Sequence, residues 1–312
     1  MADLYLGVDL GGTNIKAALV DAEGNILNES SVPTNLPRQA EAVCDDIAAL
    51  CTALADGVRV HGIGVGCPGT VDGGVVRYSN NLNWHDFAMA DYLQGKTGLP
   101  VRLANDANAA ALGEALAGCA KGAESAVIVT LGTGVGGGVV LNGKLLTGYT
   151  GAAAEPGHTV ICDTPNAPLC TCGRRGCFEA YASATALIRM TRQAMDAHPE
   201  SALHTVAANG TVNGRTAFDA AELGDAAAKQ VVDDYIHYLA VGIANLINMF
   251  FPQVIGLSGG VANQGENLLR PLRAAVQPMI FGDEYAKKHT PPTTCTLGYR
   301  AGVIGAALLN RV

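Results

Sequence analysis

Apolar and polar positions along the chain fall into short runs broken by glycine. The first run spans 4–8 and stops at Asp9 and a Gly11-Gly12 turn. A second run follows in IKAALVD (15–21), and the turn AEGN (22–25) leads into a third. The same order recurs in AVIVTLGTGVGGGVVLNGKLL (126–146): strand, glycine turn, strand, Asn-Gly turn, strand. Asn-Gly between apolar runs is a strong hairpin signal. A unit that occurs twice predicts two domains built on one plan.

Elsewhere the pattern alternates between the two periods. Apolar spacing predicts helices over 38–55, 107–118, 226–250, 266–280 and 301–310. Strands are predicted over 58–69, 99–106 and 252–262, and the stretch 198–220 is the least regular. Strands alternating with helices predict α/β sheets with covered faces.

Composition narrows the function classes. The 312 residues suit two domains, and 49% hydrophobic against 15% charged allows a large core. The net charge of -8, with no basic run, argues against a nucleic-acid or anionic-membrane partner. The start, MADLYLGVDLGGT, does not read as a signal peptide, and no apolar segment reaches spanning length. Nine cysteines, an odd count, fit a disulfide framework poorly and predict a reducing, cytoplasmic setting. Cys44, Cys51, Cys67, Cys119, Cys162 and Cys295 are scattered and read as small core or surface residues.

The glycine turns carry the first candidate chemistry. GTGVGG (132–137) fits G-x-G-x-x-G, but the dinucleotide fold needs a helix next, and here a strand follows. What remains is a turn rich in backbone N–H groups, able to cradle an anion. DLGGTN (9–14) is its counterpart, with Asp9 at the lip. One such turn needs no more than glycine's freedom at positive φ. Two equivalent turns favour a phosphate chain, with Asp9 holding Mg²⁺ through water.

CTCGRRGCFE (170–179) carries the second. Cys170, Cys172 and Cys177 supply three of the four ligands of a structural zinc. His158 in AEPGHTV is the nearest upstream fourth, and Cys162 is the alternative. A redox pair or unbound thiols is the plainer reading. Zinc joining these loops would bring Glu155 and Glu179 together, and a zinc-bound imidazole still offers its other nitrogen. In LANDANAA (103–110), Asn105 and Asp106 sit at a strand end and a helix start. That is a plain N-cap, or a carboxylate aimed at a hydroxyl as the base of phosphoryl transfer.

DLGGTN, NDANAA, LGTGVGGG, EPGH, CTCGRRGCFE and LSGGVA occur in an order that resembles the ROK family of sugar kinases, within the actin/hexokinase/Hsp70-like ATPase superfamily. The resemblance runs over nearly the whole chain. It implies two actin-like/RNase H-like ATPase domains with a cleft between them: 1–118 plus 300–312, and 119–299. It implies ATP- and Mg²⁺-dependent transfer to the O6 of a hexose, glucose foremost. The alternatives are an N-acetylhexosamine, fructose or allose kinase, or a non-catalytic sugar sensor. On the family pattern Asp106 is the base, and Gly69, Asn81, Asn105, Glu155, His158 and Glu179 hold the sugar. The turns Gly11-Gly12-Thr13 and Gly132-Thr133-Gly134 face the phosphates, and Gly259-Gly260 lie near the adenosine. His158, Cys170, Cys172 and Cys177 bind Zn²⁺. A homodimer or homotetramer is implied. Ala154 stands where the family more often has glycine.

Overall fold

The structure is a computed structural model and describes residues 3–282, 285 and 288–312. In chain order it forms β1 (Leu4–Leu10), β2 (Asn14–Asp21), β3 (Ile26–Pro33), α1 (Ala40–Leu54), β4 (Ile63–Cys67), β5 (Thr70–Asp72), β6 (Val75–Ser79) and β7 (Trp84–Phe87). Then come α2 (Met89–Thr97), β8 (Val101–Asn105), α3 (Asp106–Leu116), β9 (Ser125–Leu131), β10 (Val135–Leu141) and β11 (Lys144–Leu145). The rest is α4 (Glu179–Ala182), α5 (Ala184–Ala197), α6 (Leu203–Val206), α7 (Thr216–Glu222), α8 (Ala226–Phe250), β12 (Val254–Ser258), α9 (Glu266–Val276), β13 (Thr293–Thr294) and α10 (Ala301–Leu308).

Two sheets share one strand order: β3-β2-β1-β4-β8 and β11-β10-β9-β12-β13. In the first, β1–β3 are antiparallel, and β4 and β8 run parallel with β1. In the second, β10 and β11 pair antiparallel and β12 and β13 parallel. The duplicated sequence unit is thus the first three strands of each sheet, and the fold is α/β. The Asn142-Gly143 turn has positive φ at both positions (51° and 73°), as the Asn-Gly signal requires.

The chain divides into two compact units. One holds the residues up to Ala126, with Gly138–Ala154 and Cys295–Val312; the other holds Val127–Gly137 and Glu155–Thr294. Relative to the expected bounds, 119–126, 138–154 and 295–299 fall in the first unit. The chain crosses between units within β9 and again within β10, so a boundary drawn between elements misses them.

In the first unit, alternate residues of β1 face opposite ways. Leu6, Val8 and Leu10 are buried with Val43 and Ile47 of α1. Tyr5 is buried with Ala18, Val20 and the α10 residues Val303, Ile304 and Ala307. A Cβ at Gly305 would strike the Ala109 carbonyl, so α10 lies against α3 at backbone distance. Small residues along α10 are what permit that approach. In the second unit α8 buries Val231, Tyr235, Leu239 and Ile243 at intervals of one helical turn. Fully buried aliphatics such as Leu239 and Ile243 each contribute about 1.5–3 kcal/mol of transfer free energy.

Several sequence-based bounds shift. Residues 58–62 lie outside β4, and α9 stops at Val276, two residues before Pro278. The β5-β6-β7 sheet, α2 and α5 correspond to nothing assigned from the sequence.

Candidate active site and metal cluster

In the first unit the carboxyl ends of three neighbouring strands carry the candidates. Asp9 of β1 lies opposite Gly66 of β4, and Cys67 lies opposite Asn105 of β8. Ligands of open α/β sheets gather at such strand ends. Asn105 caps α3: its Oδ1 accepts from the backbone of Ala107 (2.9 Å) and Asn108 (3.2 Å). Its Nδ2 donates to the Gly69 carbonyl at 3.0 Å, which ties the loop after β4 to the start of α3. Asn105 is therefore occupied as a cap and a brace. Asp106, first in the helix, is exposed and accepts only a local bond from Ala107 N–H among the bonds described. Asn81 is exposed on the turn between β6 and β7.

The first glycine turn is pinned from behind. The Thr34 hydroxyl donates to the Gly11 carbonyl (2.7 Å), and Thr34 N–H donates to the Thr13 carbonyl (2.8 Å). Gly12 and Thr13 remain exposed. Burial raises the pKa of the Asp9 carboxyl, Lys16 across the strand pair offsets part of this, and Asp106 raises it further. The two carboxylates thus feel one another's charge.

The second unit repeats the arrangement. Gly132, Thr133 and Gly134 turn the chain from β9 to β10, with Gly132 N–H bonded to the Gly134 carbonyl at 3.0 Å. Ala184 N–H and the Thr185 hydroxyl, at the start of α5, bond the carbonyls of Gly132 (2.8 Å) and Thr133 (2.7 Å). Gly259, just past β12, packs on the backbone of Leu131, and Gly260 is exposed.

Glu179 links this turn to the cysteines. Its Oε2 accepts Val135 N–H at 3.1 Å and leaves no room for a Cβ at Gly134. Its Oε1 accepts the Thr171 hydroxyl at 2.7 Å and lies 3.4 Å from Cys170 Sγ. Glu155 is exposed, and Ala154 before it has a φ of 61°, the left-handed region where glycine costs least.

His158, Cys170, Cys172 and Cys177 converge, with their donor atoms all within 4.8 Å. Cys172 and Cys177 sulfurs stand 3.7 Å apart, as do Cys170 Sγ and His158 Nδ1. Two thiolates on tetrahedral zinc, with Zn–S near 2.3 Å, stand about 3.8 Å apart, so the donor set and its spacing fit the ion. Cys162 lies outside the cluster and contacts Thr164 instead, which leaves His158 as the fourth donor. Gly176 lets the strand pass against the Cys162 carbonyl, where a side chain would collide. Hydrogen bonds from the Arg174 backbone and guanidinium pull the Cys172 thiol down to about 6, toward the ligating thiolate. Burial pushes Cys177 up to about 12.

The ROK family profile matches residues 5–312. The chain belongs to the ROK family. Among its ROK relatives, the glucokinase of Thermotoga maritima is 40% identical over 97% of this chain and 95% of that protein. The glucokinase of Halalkalibacterium halodurans is 38% identical over 98% and 94%. The solved structure of a ROK family glucokinase from Streptomyces griseus in complex with glucose and AMPPNP superposes with a TM-score of 0.78. It is 37% identical and 99% of each chain is covered.

Sequence reasoning missed three residues that contact the candidates: Thr34 and Lys16 in the first unit and Thr171 in the second. The hydroxyls act through folds of the chain that no spacing reveals. Lys16 had a signal, since antiparallel pairing across the Gly11-Gly12 turn places it opposite Asp9.

Proposed function

We propose that the protein is an ATP-dependent glucokinase that transfers the γ-phosphoryl group of ATP to O6 of glucose. The observation that carries this reading is Asp106: an exposed carboxylate fixed at a helix start, beside a second carboxylate and a pinned glycine turn. A sugar-binding sensor has no need of that acid, and full-length similarity to glucokinases supports the same reading.

In the proposed reaction Asp106 accepts the proton of the 6-hydroxyl as O6 attacks the γ-phosphorus. The O6–P bond forms, the bond to the β,γ-bridging oxygen breaks, and ADP leaves. Gly69, Asn81, Asn105, Glu155, His158 and Glu179 hold the sugar, with Asn105 also fixing the start of α3. The N–H groups of the two glycine turns face the phosphates, and Gly259-Gly260 lie near the adenosine. Asp9 would hold Mg²⁺, which would supply positive charge against the phosphates. His158, Cys170, Cys172 and Cys177 would hold Zn²⁺, and a set of four protein donors would give it a structural role. The reading places the enzyme in the cytoplasm as a homodimer or homotetramer; no helix among the described residues is long and apolar enough to cross a membrane.

A coupled assay of ADP release across a hexose panel, with phosphorus NMR of the product, tests the reading. Glucose should give the highest kcat/KM and a 6-phosphate. A different preferred hexose, or ATP turnover that no sugar stimulates, would overturn it.

A further inference from the structure

Cys119 and Cys295 lie far apart in sequence, yet the fold places their sulfurs 3.8 Å apart. Scattered in sequence, the two are neighbours in the fold. Cys119 follows α3, shortly before the chain first leaves the first unit, and Cys295 is the residue at which it returns for the last time. Both are half-buried, within reach of solutes.

A third donor joins them. Glu114, in the last turn of α3, is 1% exposed, and its carboxylate lies with the two sulfurs in a group whose donor atoms are all within 4.8 Å. Its Oε2 accepts the backbone N–H of Cys119 (2.9 Å) and of Thr296 (3.1 Å), and its Oε1 accepts that of Leu297 (2.7 Å). One carboxylate therefore fixes both cysteine-bearing segments. Those three donors are all neutral backbone N–H groups, and the carboxylate they hold faces the two thiols.

We propose that Glu114, Cys119 and Cys295 form a second metal site, suited to a thiophilic divalent cation such as zinc. The sulfur spacing matches the roughly 3.8 Å edge between two thiolates on tetrahedral zinc. It also matches the 3.7 Å between Cys172 and Cys177. A disulfide needs about 2.05 Å, so the pair stands at ligand spacing and not at bond spacing. Three protein donors leave the fourth position to water, which makes this an open site, unlike the filled set around His158. The ion would clamp the segment after α3 to the segment by which the chain last returns to the first unit.

Reduced full-length protein is equilibrated with zinc, desalted and its metal counted by mass spectrometry. The same is done for Cys119→Ser and Cys295→Ser. Each variant should carry about one zinc per chain fewer than the parent. In cadmium titrations each should lose part of the thiolate charge-transfer absorbance. Added zinc should raise the melting temperature of the parent more than that of either variant. Equal metal content in parent and variants, or a Cys119–Cys295 disulfide in the protein as purified, would overturn the proposal. Because the readout is a difference between parent and variants, it does not depend on whether the His158 cluster holds zinc. Separate melts of the two variants show whether either has lost its fold.

Discussion

Asp106 and Asp9 are both carboxylates of one unit, yet their surroundings divide the work between them. Asp106 is exposed at the start of α3, and the cap interactions belong to Asn105, which spares the Asp106 side chain for its role in the proposed reaction. Asp106→Asn should keep the fold and sugar binding but lower kcat by about 10²–10⁴, the usual worth of a positioned base. A loss below about tenfold in steady-state assays would mean that another group takes the proton. Asp9 instead carries a cost. Its folded pKa lies above the ordinary 3.8, through burial first, with Asp106 adding to it and Lys16 opposing. The folded state thus binds this proton more tightly than the unfolded chain does. Stability is unaffected below 3.8, falls as pH rises from there through the raised folded value, and stays reduced above it. Asp9→Asn removes that titration. The variant should be more stable than the parent at pH 7 and equal to it in acid, while losing turnover. Melting curves across pH check this, and a variant that melts lower than the parent at neutral pH would contradict it. The sequence signalled only the Lys16 part of that shift, because burial and the approach of Asp106 are properties of the fold.

Among the elements, the second glycine turn and the cysteine segment are one construction. Glu179 bonds Val135 with one oxygen and Thr171 with the other, so the cysteine segment sets the place of a carboxylate that in turn braces the Gly132–Gly134 turn. Cys172→Ser should therefore lose zinc and weaken both sugar and nucleotide binding, raising KM for each more than it lowers kcat. Metal analysis beside steady-state kinetics is the check; full zinc content with unchanged KM values would detach the cluster from the site. Much of this was legible beforehand. Three cysteines in eight residues, the upstream His158 and the trailing Glu179 all read directly from their spacing. The direction of Glu179 did not. The sequence suggested a sugar ligand that the metal brings beside Glu155, and the structure adds a bond at each of its oxygens. The strained backbone at Ala154 was equally hidden until its φ was known, although its place before Glu155 had marked it.

For the whole molecule, repetition was the readable feature and decoration was not. Two strand–turn–strand units in the sequence became two sheets of one order, because alternating apolar runs and glycine turns suffice to define a hairpin. The β5-β6-β7 sheet escaped notice because its strands are only three to five residues long and half exposed, too short to show a period. The proposed reaction places one more demand on the whole enzyme, since binding and transfer must separate when the attacking atom is removed. 6-Deoxyglucose keeps the ring hydroxyls and lacks only O6. It should bind, and at a hundred times its Kd it should stabilise the fold by about 2.7 kcal/mol through mass action alone. It should accept no phosphoryl group, and it should compete with glucose when ATP turnover is followed. Melting curves with each sugar, together with mass spectrometry of the products, test both halves. A phosphorylated 6-deoxy product would move the transfer to a ring hydroxyl and remove Asp106 from its proposed role. A melting shift with glucose but none with 6-deoxyglucose would mean that O6 is held in the ground state, and the expected effect of the analogue would then appear in KM instead of in turnover alone.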